Sequence, residues 1–222
     1  YEERIEIVSF CIEHGNDYAA TIEEYGVSYR QVDLLPGGEF DYDGIRAAIN
    51  EKTKLITIQR SKGYATRPTF SVKQIGELIA FCKGVKPDVT VMVDNCYGEW
   101  VEEKEPTQVG ADLIAGSLIK NPGGGIARTG GYIAGRHDLI EKCAARLITP
   151  GIGREVGCTL GMNRELFLGV YSAPHVVGEA LKSMAFSAAL FKLIGFDSTP
   201  ASGEVRHDII QAIKLHNEKN LI

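Results

Sequence analysis

The sequence VTVMVDNCYGEW (residues 89–100), followed by GADLIAGSLIKNPGGGIARTGGYIAG (residues 110–135), decides the fold. It is typical of strand, turn, strand, glycine-rich loop and strand, because short apolar runs alternate with glycine and polar residues. Asp94 ends the first strand, and Lys120 comes just past the end of the second. A crossover between parallel strands brings both ends to the same edge of a sheet. We therefore expect an acidic residue and a lysine on one edge, beside Gly123–Gly125.

Strands and helices alternate around this stretch. Residues 55–58 are rich in β-branched side chains and predict a strand, and Ser71 is placed to cap a helix whose apolar residues recur at helical spacing. Residues 27–35 alternate and predict a short strand, and Asp41 or Asp43 is placed to cap the helix that follows. Repeated helix and strand predict an α/β fold with a mixed, mostly parallel sheet.

The last part of the chain has a different pattern. A helix is predicted over residues 137–148, and a long helix is predicted to begin at Pro174 and to end near Gly195. Residues 204–222 predict one further amphipathic helix. The first residue falls inside or just before a predicted strand, and no capping or polar tail closes the C-terminus, so we expect the chain to be incomplete.

Composition excludes several classes of function. The 222 residues are 44% hydrophobic and 24% charged, with a formal net charge of −5 and no basic run, so nucleic acid is not an expected partner. No apolar run is long enough for a bilayer, and no signal-peptide pattern opens the sequence. The five cysteines contain no CxxC pair and the five histidines have no ligand spacing. We expect a cytoplasmic protein without a metal site, a membrane segment or a disulfide framework.

The residues on the predicted edge suit one cofactor chemistry. Pyridoxal 5'-phosphate needs a lysine amine to form an imine with its aldehyde, a carboxylate beside its ring nitrogen, and donors for its phosphate. Lys120 and Asp94 supply the first two, and Ser117 stands three residues before the lysine. The glycines of residues 123–125 permit close backbone approach or positive φ. These residues predict a pyridoxal phosphate site.

The sequence also resembles a known family. VDNCYGEW and AGSLIKNPGGGIARTGGYIAG resemble the fold type I pyridoxal phosphate enzymes, and within them the methionine γ-lyase-like family, also called aluminium resistance proteins. GVSYRQVDL, ITIQRSKGYATRPTFSVKQI and LFLGVYSAPHVVGEALKSMAFSAALF are further matches. The resemblance covers nearly the whole chain. It implies a relationship to the lyases of the cystathionine pathway.

The resemblance implies roles for particular residues. Lys120 would form the imine and act as general base, Asp94 would hold the ring nitrogen, and Ser117 would bind the phosphate. Apart from the resemblance, Tyr97 is a further candidate for contact with the cofactor. Residues 1–171 would be the cofactor-binding large domain, partial at its N-terminus, and residues 172–222 would lead into an incomplete small domain. Active sites of this fold lie at a subunit interface, which implies a homodimer or homotetramer. The expected reaction is carbon–sulfur bond cleavage in a small amino acid such as methionine or cystathionine.

Alternatives remain open at this stage. Ile119 stands where related enzymes carry a hydroxyl residue, and the ring-stacking residue and the substrate-binding arginine are expected outside these residues. Asp94 and Ser117 can simply cap turns, and Tyr97 can pack under the sheet edge. The polar run of residues 60–64 can line the same edge or form an ordinary loop. Transamination, or a non-enzymatic role in metal tolerance, is the alternative function.

Overall fold

The computed structural model describes residues 28–147, 155, 157 and 159–220. They form two compact units that separate after Ile49. In the first unit, α1 (Tyr42–Ala48) begins at Asp41, whose carboxylate accepts a hydrogen bond from the Gly44 amide, as predicted. The strand predicted over residues 27–35 is wrong over its described part, because residues 28–35 pair with no other strand.

The second unit is organised by a four-stranded sheet in the order β1-β2-β3-β4. The strands are β1 (Leu55–Gln59), β2 (Thr90–Asp94), β3 (Leu113–Ser117) and β4 (Gly131–Gly135). The first three are parallel, and β4 runs antiparallel to β3. This confirms the predicted mixed, mostly parallel α/β sheet.

Helix α2 (Val72–Val85) lies between β1 and β2 in the chain. Its first turn is closed by a capping box, in which Ser71 accepts from the Gln74 amide and the Gln74 side chain accepts from the Ser71 amide. The apolar residues at helical spacing are all buried, as the periodicity predicts: Ile75, Leu78, Ile79 and Cys82. Together with the buried side chains of β2, they form the core under the sheet edge that carries Asp94.

Two helices follow the sheet. α3 (His137–Leu147) confirms the predicted helix, and the last residue of that prediction lies outside the described part. α4 (Asn163–Leu193) is 31 residues long and begins well before Pro174, so the predicted start is wrong. Pro174 lies inside the helix, next to fully buried Ala173. Packing of this part of the helix therefore outweighs the hydrogen bond that proline cannot make.

The end of the chain forms a small sheet. β5 (Asp197–Thr199) pairs antiparallel with β6 (Ala212–Lys214). The helix predicted over residues 204–222 is therefore wrong over its described part, which contains β6 and a short 3₁₀ segment, Glu218–Asn220. The cause is visible at buried Asp208, whose carboxylate accepts from the Ile210 amide, 2.9 Å, and so turns the chain locally.

The division into domains at residues 171 and 172 stays a prediction, and α4 runs continuously through that point. None of the helices in the described part combines the length and apolarity that a bilayer crossing requires.

Candidate active site

Asp94 lies at the carboxyl end of β2, between β1 and β3. Its Oδ1 accepts a hydrogen bond from the Cys96 amide, 3.1 Å, and its carbonyl oxygen accepts from the Arg60 amide, 3.1 Å. Its register partner on β3 is Ala115, two residues before Ser117. The carboxylate is therefore fixed at the edge of the sheet where ligands of α/β proteins bind.

Lys120 follows the end of β3 by three residues. The chain turns there because the Lys120 amide donates to the Ser117 carbonyl oxygen, 3.3 Å, while the Leu118 amide donates to the Gly130 carbonyl oxygen, 2.9 Å. The Lys120 Nζ lies 4.3 Å from the centre of the Tyr97 ring. The ring face attracts a cation at this distance.

Tyr97 holds this position through a backbone conformation that few tyrosines adopt. Its φ is 70°, in the left-handed region that costs a residue with a Cβ about 1–3 kcal/mol. The surrounding chain supports it, since the Ile209 amide donates to the Tyr97 carbonyl oxygen, 3.1 Å. The ring lies against the lysine at the candidate site, and contact of Tyr97 with a cofactor stays a prediction.

Cys96 lies near the two charged residues and was missed as a site residue by sequence reasoning. Its amide donates to the Asp94 carboxylate, 3.1 Å. Burial and the nearby Asp94 raise the pKa of the thiol, while Lys120 opposes this. The signal in the sequence is the spacing, because a residue two places after an aspartate often donates its amide to that carboxylate.

The proton on Lys120 depends on the same neighbours. Burial of the amine opposes its charge, but Cys96 and Tyr97 more than offset this and raise the pKa of Lys120 above its ordinary value. The surroundings of Lys120 thus favour its ammonium form. The amine must lose a proton before it can attack a carbonyl carbon.

Ser117 is the last residue of β3, and its Oγ accepts a weak hydrogen bond from the Ile119 amide, 3.4 Å. This contact is the turn-capping role that the sequence left open. Within the described part the hydroxyl donates to no acceptor, so its hydrogen is free for an anion. Binding of a phosphate by Ser117 stays a prediction.

The glycines after Lys120 serve a close approach between backbones. A Cβ on Gly123 would lie 1.8 Å from the Leu118 carbonyl oxygen, and one on Gly124, whose φ is +52°, would lie 2.4 Å from the Gly169 carbonyl oxygen. The close backbone approach predicted for these glycines is thus observed where the loop contacts α4. This packing fixes the turn that carries Lys120.

A buried polar network lies beneath the edge. Arg60 is fully buried and donates to Asn95, 2.8 Å, to Glu102, 2.9 Å, and to Glu105, 3.4 Å. It connects the end of β1 with the segment that follows β2, so its role is to support the candidate site.

Glu99 is a second buried group near β3. It is 3% exposed and its Oε1 accepts from the Tyr132 hydroxyl, 2.8 Å. Burial raises the pKa of Glu99 to about 7. Its Oε2 has no hydrogen-bond partner among the described residues, which suits a carboxyl group that holds a proton.

A cavity of about 870 Å³ adjoins Tyr97. Its walls are the loop of residues 62–66, the Tyr97 ring, the segment 209–214, Asp197 and Thr199; we call it the Lys62 cavity. Residues 62–64, in the polar run after β1, therefore line a cavity as well as connecting β1 to α2. Within the described part of the chain, no three side chains of metal-binding type lie close enough to hold an ion together.

Comparison with known proteins identifies relatives of this chain. The chain is 49% identical over 208 residues to YnbB, an uncharacterised protein of Bacillus subtilis, covering 94% of this chain and 49% of that protein. It is 48% identical, with a TM-score of 0.87, to the structure of a candidate cystathionine beta-lyase involved in aluminium resistance from Listeria monocytogenes, covering 89% of this chain and 49% of that one. The chain thus spans about half the length of these relatives.

More distant structures share the fold. Cystathionine gamma-lyase from Lactobacillus plantarum, solved with L-serine, has a TM-score of 0.55 at 16% identity and covers 80% of this chain and 42% of that one. This likeness shows a shared α/β fold. The family model described as methionine gamma-lyase matches residues 6–222. The chain therefore belongs to the methionine gamma-lyase family.

Proposed function

We propose that this protein is a pyridoxal phosphate-dependent carbon–sulfur lyase that acts on a sulfur-containing amino acid by α,β- or α,γ-elimination. One observation carries the proposal: the Lys120 Nζ lies 4.3 Å from the ring centre of Tyr97, a residue of the turn in which Asp94 accepts from the Cys96 amide. These groups meet at the carboxyl ends of neighbouring parallel strands. Membership of the family and the name of the Listeria relative support the choice of carbon–sulfur cleavage.

The residues present fit the cofactor. An amine suits the aldehyde, a carboxylate suits a protonated ring nitrogen, and a free hydroxyl at Ser117 suits a phosphate oxygen. When bound, pyridoxal phosphate activates the substrate's α-carbon by withdrawing its electrons into the ring. Asp94 holds the proton on the ring nitrogen, and its bond to the Cys96 amide fixes the carboxylate for that task.

Lys120 performs the proton transfers. Its neutral amine takes the proton from the substrate's α-carbon and returns a proton to the departing sulfur, which leaves as a thiol. General acid–base work of this kind contributes about 10²–10⁴-fold to a rate. Tyr97 holds the amine at the sheet edge through its ring, 4.3 Å from Nζ. Hydrolysis of the remaining fragment yields a keto acid and ammonia.

The test begins with the protein and pyridoxal phosphate mixed and then reduced with borohydride. Mass spectrometry should find the reduced adduct on Lys120, and thiol release from cystathionine or methionine should disappear in Lys120→Ala. Lys73→Ala is the matched control, because Lys73 is exposed on α2 and pairs only with Glu77 among the described residues. An adduct on another lysine would refute the proposal. A keto acid formed without thiol would indicate transamination instead.

Assembly as a homodimer or homotetramer, and an amino acid as the small-molecule substrate, belong to the same proposal. They follow from the family and are measured by sedimentation and by the substrate screen above.

A further inference from the structure

We propose that the Lys62 cavity binds a second carboxylate of the substrate, the one carried by the arm that leaves with the sulfur. Lys62 is the cationic partner of that carboxylate. The inference rests on the proposed function and deepens it by naming a substrate class: thioether amino acids whose sulfur bears a second, carboxylated arm. Such a substrate is preferred over one whose sulfur bears only a methyl group.

The first observation is the state of Lys62. This residue is only 6% exposed, yet it lines the cavity. Its Nζ donates to the Thr199 carbonyl oxygen, 3.2 Å, and no carboxylate lies within ion-pair distance among the described residues. An ammonium group has three hydrogens to donate, and burying its charge without an anion is costly. A bound carboxylate supplies the missing partner.

The second observation is the shape and lining of the cavity. Its volume of about 870 Å³ lies within the range typical of small-molecule sites. Ile209 and Ile213 give it apolar walls, which suit the methylene groups of an amino-acid arm. Lys214 adds a second cation, and Asp197 is the one acid in the lining. The charges therefore favour a carboxylate, with an acid available for an amino group.

The third observation is the position of the cavity. Tyr97 lines it, and the same ring lies 4.3 Å from the Lys120 Nζ. The cavity thus starts at the residue that contacts the reacting lysine. A substrate whose α-carbon is at Lys120 can extend its sulfur arm past Tyr97 toward Lys62. The methylthio group of methionine carries no carboxylate, so it offers Lys62 no anionic partner along this route.

Binding is tested first, with propionate as the probe and propionamide as its neutral counterpart. We expect propionate to give saturable NMR shifts at Ala65, Tyr97 and Ala212, and propionamide to give none at the same concentration. Lys62→Met should weaken propionate binding by about tenfold or more, since a charge-assisted hydrogen bond is lost. Lys62→Arg should retain binding, and Lys73→Met, on the exposed face of α2, is the control.

Equal shifts with both probes, or propionate binding unchanged in Lys62→Met, would overturn the assignment. If Lys62→Met does not fold, the comparison of the two probes on the unaltered protein and on Lys62→Arg decides. This arm needs no turnover, so it stands or falls separately from the proposed lyase activity.

The second arm uses the protein loaded with pyridoxal phosphate. We expect Lys62→Met to lower kcat/KM for cystathionine by about tenfold or more and to leave kcat/KM for methionine within about twofold. An equal loss for both substrates would assign Lys62 to their shared α-carboxylate and would refute the inference. If neither substrate releases thiol while propionate binds as expected, the lyase proposal fails and the carboxylate site remains.

Discussion

The backbones of Gly123 and Gly169 are in direct contact: a Cβ placed on Gly169 would lie 2.4 Å from the Gly123 carbonyl oxygen. Gly169 is buried in α4, and Gly123 is buried in the short 3₁₀ segment that begins directly after Lys120. The helix therefore sets the position of the turn that presents the lysine.

Gly169→Ala should destabilise the protein by about 1–3 kcal/mol, because the added methyl group forces the helix and the loop apart. Gly178→Ala is the matched control on the same helix, since nothing lies within 4 Å of its added Cβ. That control should stabilise the protein by about 0.5–1 kcal/mol through helix propensity. Urea denaturation measures both free energies of unfolding. Equal effects of the two changes would show that the contact between Gly123 and Gly169 does not contribute to stability.

Asp94→Asn should lower the rate of thiol release by about 100-fold or more, because the charge opposite the ring nitrogen is lost. The amide oxygen of asparagine can still accept from the Cys96 amide, so the free energy of unfolding should change little. Steady-state kinetics and thermal denaturation are measured together. A variant with full activity would exclude Asp94 from the reaction.

Glu99→Gln should alter how stability depends on pH. The unfolded carboxyl group loses its proton near pH 4.5, whereas the folded one keeps it until about pH 7. Over this interval the folded state binds more protons, so the unchanged protein loses stability as pH rises, by about 3 kcal/mol in total. Glutamine does not titrate. The stability of the variant relative to the unchanged protein should therefore rise by that amount between pH 4.5 and 7.

Denaturation midpoints in urea at several pH values measure this difference. A constant difference between the two proteins across the interval would contradict the raised pKa of Glu99.

Trapping of pyridoxal phosphate by borohydride should become faster as pH rises. The neutral form of Lys120 is the reactive one, and its raised pKa keeps most of the amine protonated at neutral pH. Cys96→Ala should move the midpoint of this dependence to lower pH, since burial then opposes the charge with less compensation. The measurement is the initial rate of adduct formation against pH. A midpoint unchanged by Cys96→Ala would show that the thiol has no part in setting the pKa.

Short-range patterns in the sequence predicted most of the sheet and the helices next to it. The capping box at Ser71 and the spacing of Ile75 and Cys82 act within a few residues, and the structure reproduces both. The long helix was misjudged because Pro174 normally marks a start, whereas here the packing of Ala173 and Gly169 carries the helix through it. The tertiary contacts of α4 therefore outweigh the local preference of proline for a helix start.

The terminal helix was wrong for a related reason. Asp208 accepts from Ser61, 2.7 Å, and from Thr69, 2.6 Å, residues more than a hundred positions earlier in the chain. No periodicity in residues 204–222 records those partners. The same limit applies to the site: alternation and spacing placed Asp94 and Lys120 on one edge, but the burial of Lys62 depends on β5, which is distant in sequence.

Tyr97 takes part in two neighbourhoods: its ring lies 4.3 Å from the Lys120 Nζ, and the residue also lines the Lys62 cavity. Its carbonyl oxygen accepts a hydrogen bond from the Ile209 amide in the cavity wall, which ties the Tyr97 backbone to that wall. An occupant that shifts the wall must also change the surroundings of the lysine. Thermodynamic reciprocity then requires that a group attached at Lys120 and a carboxylate at Lys62 alter each other's affinity by the same factor.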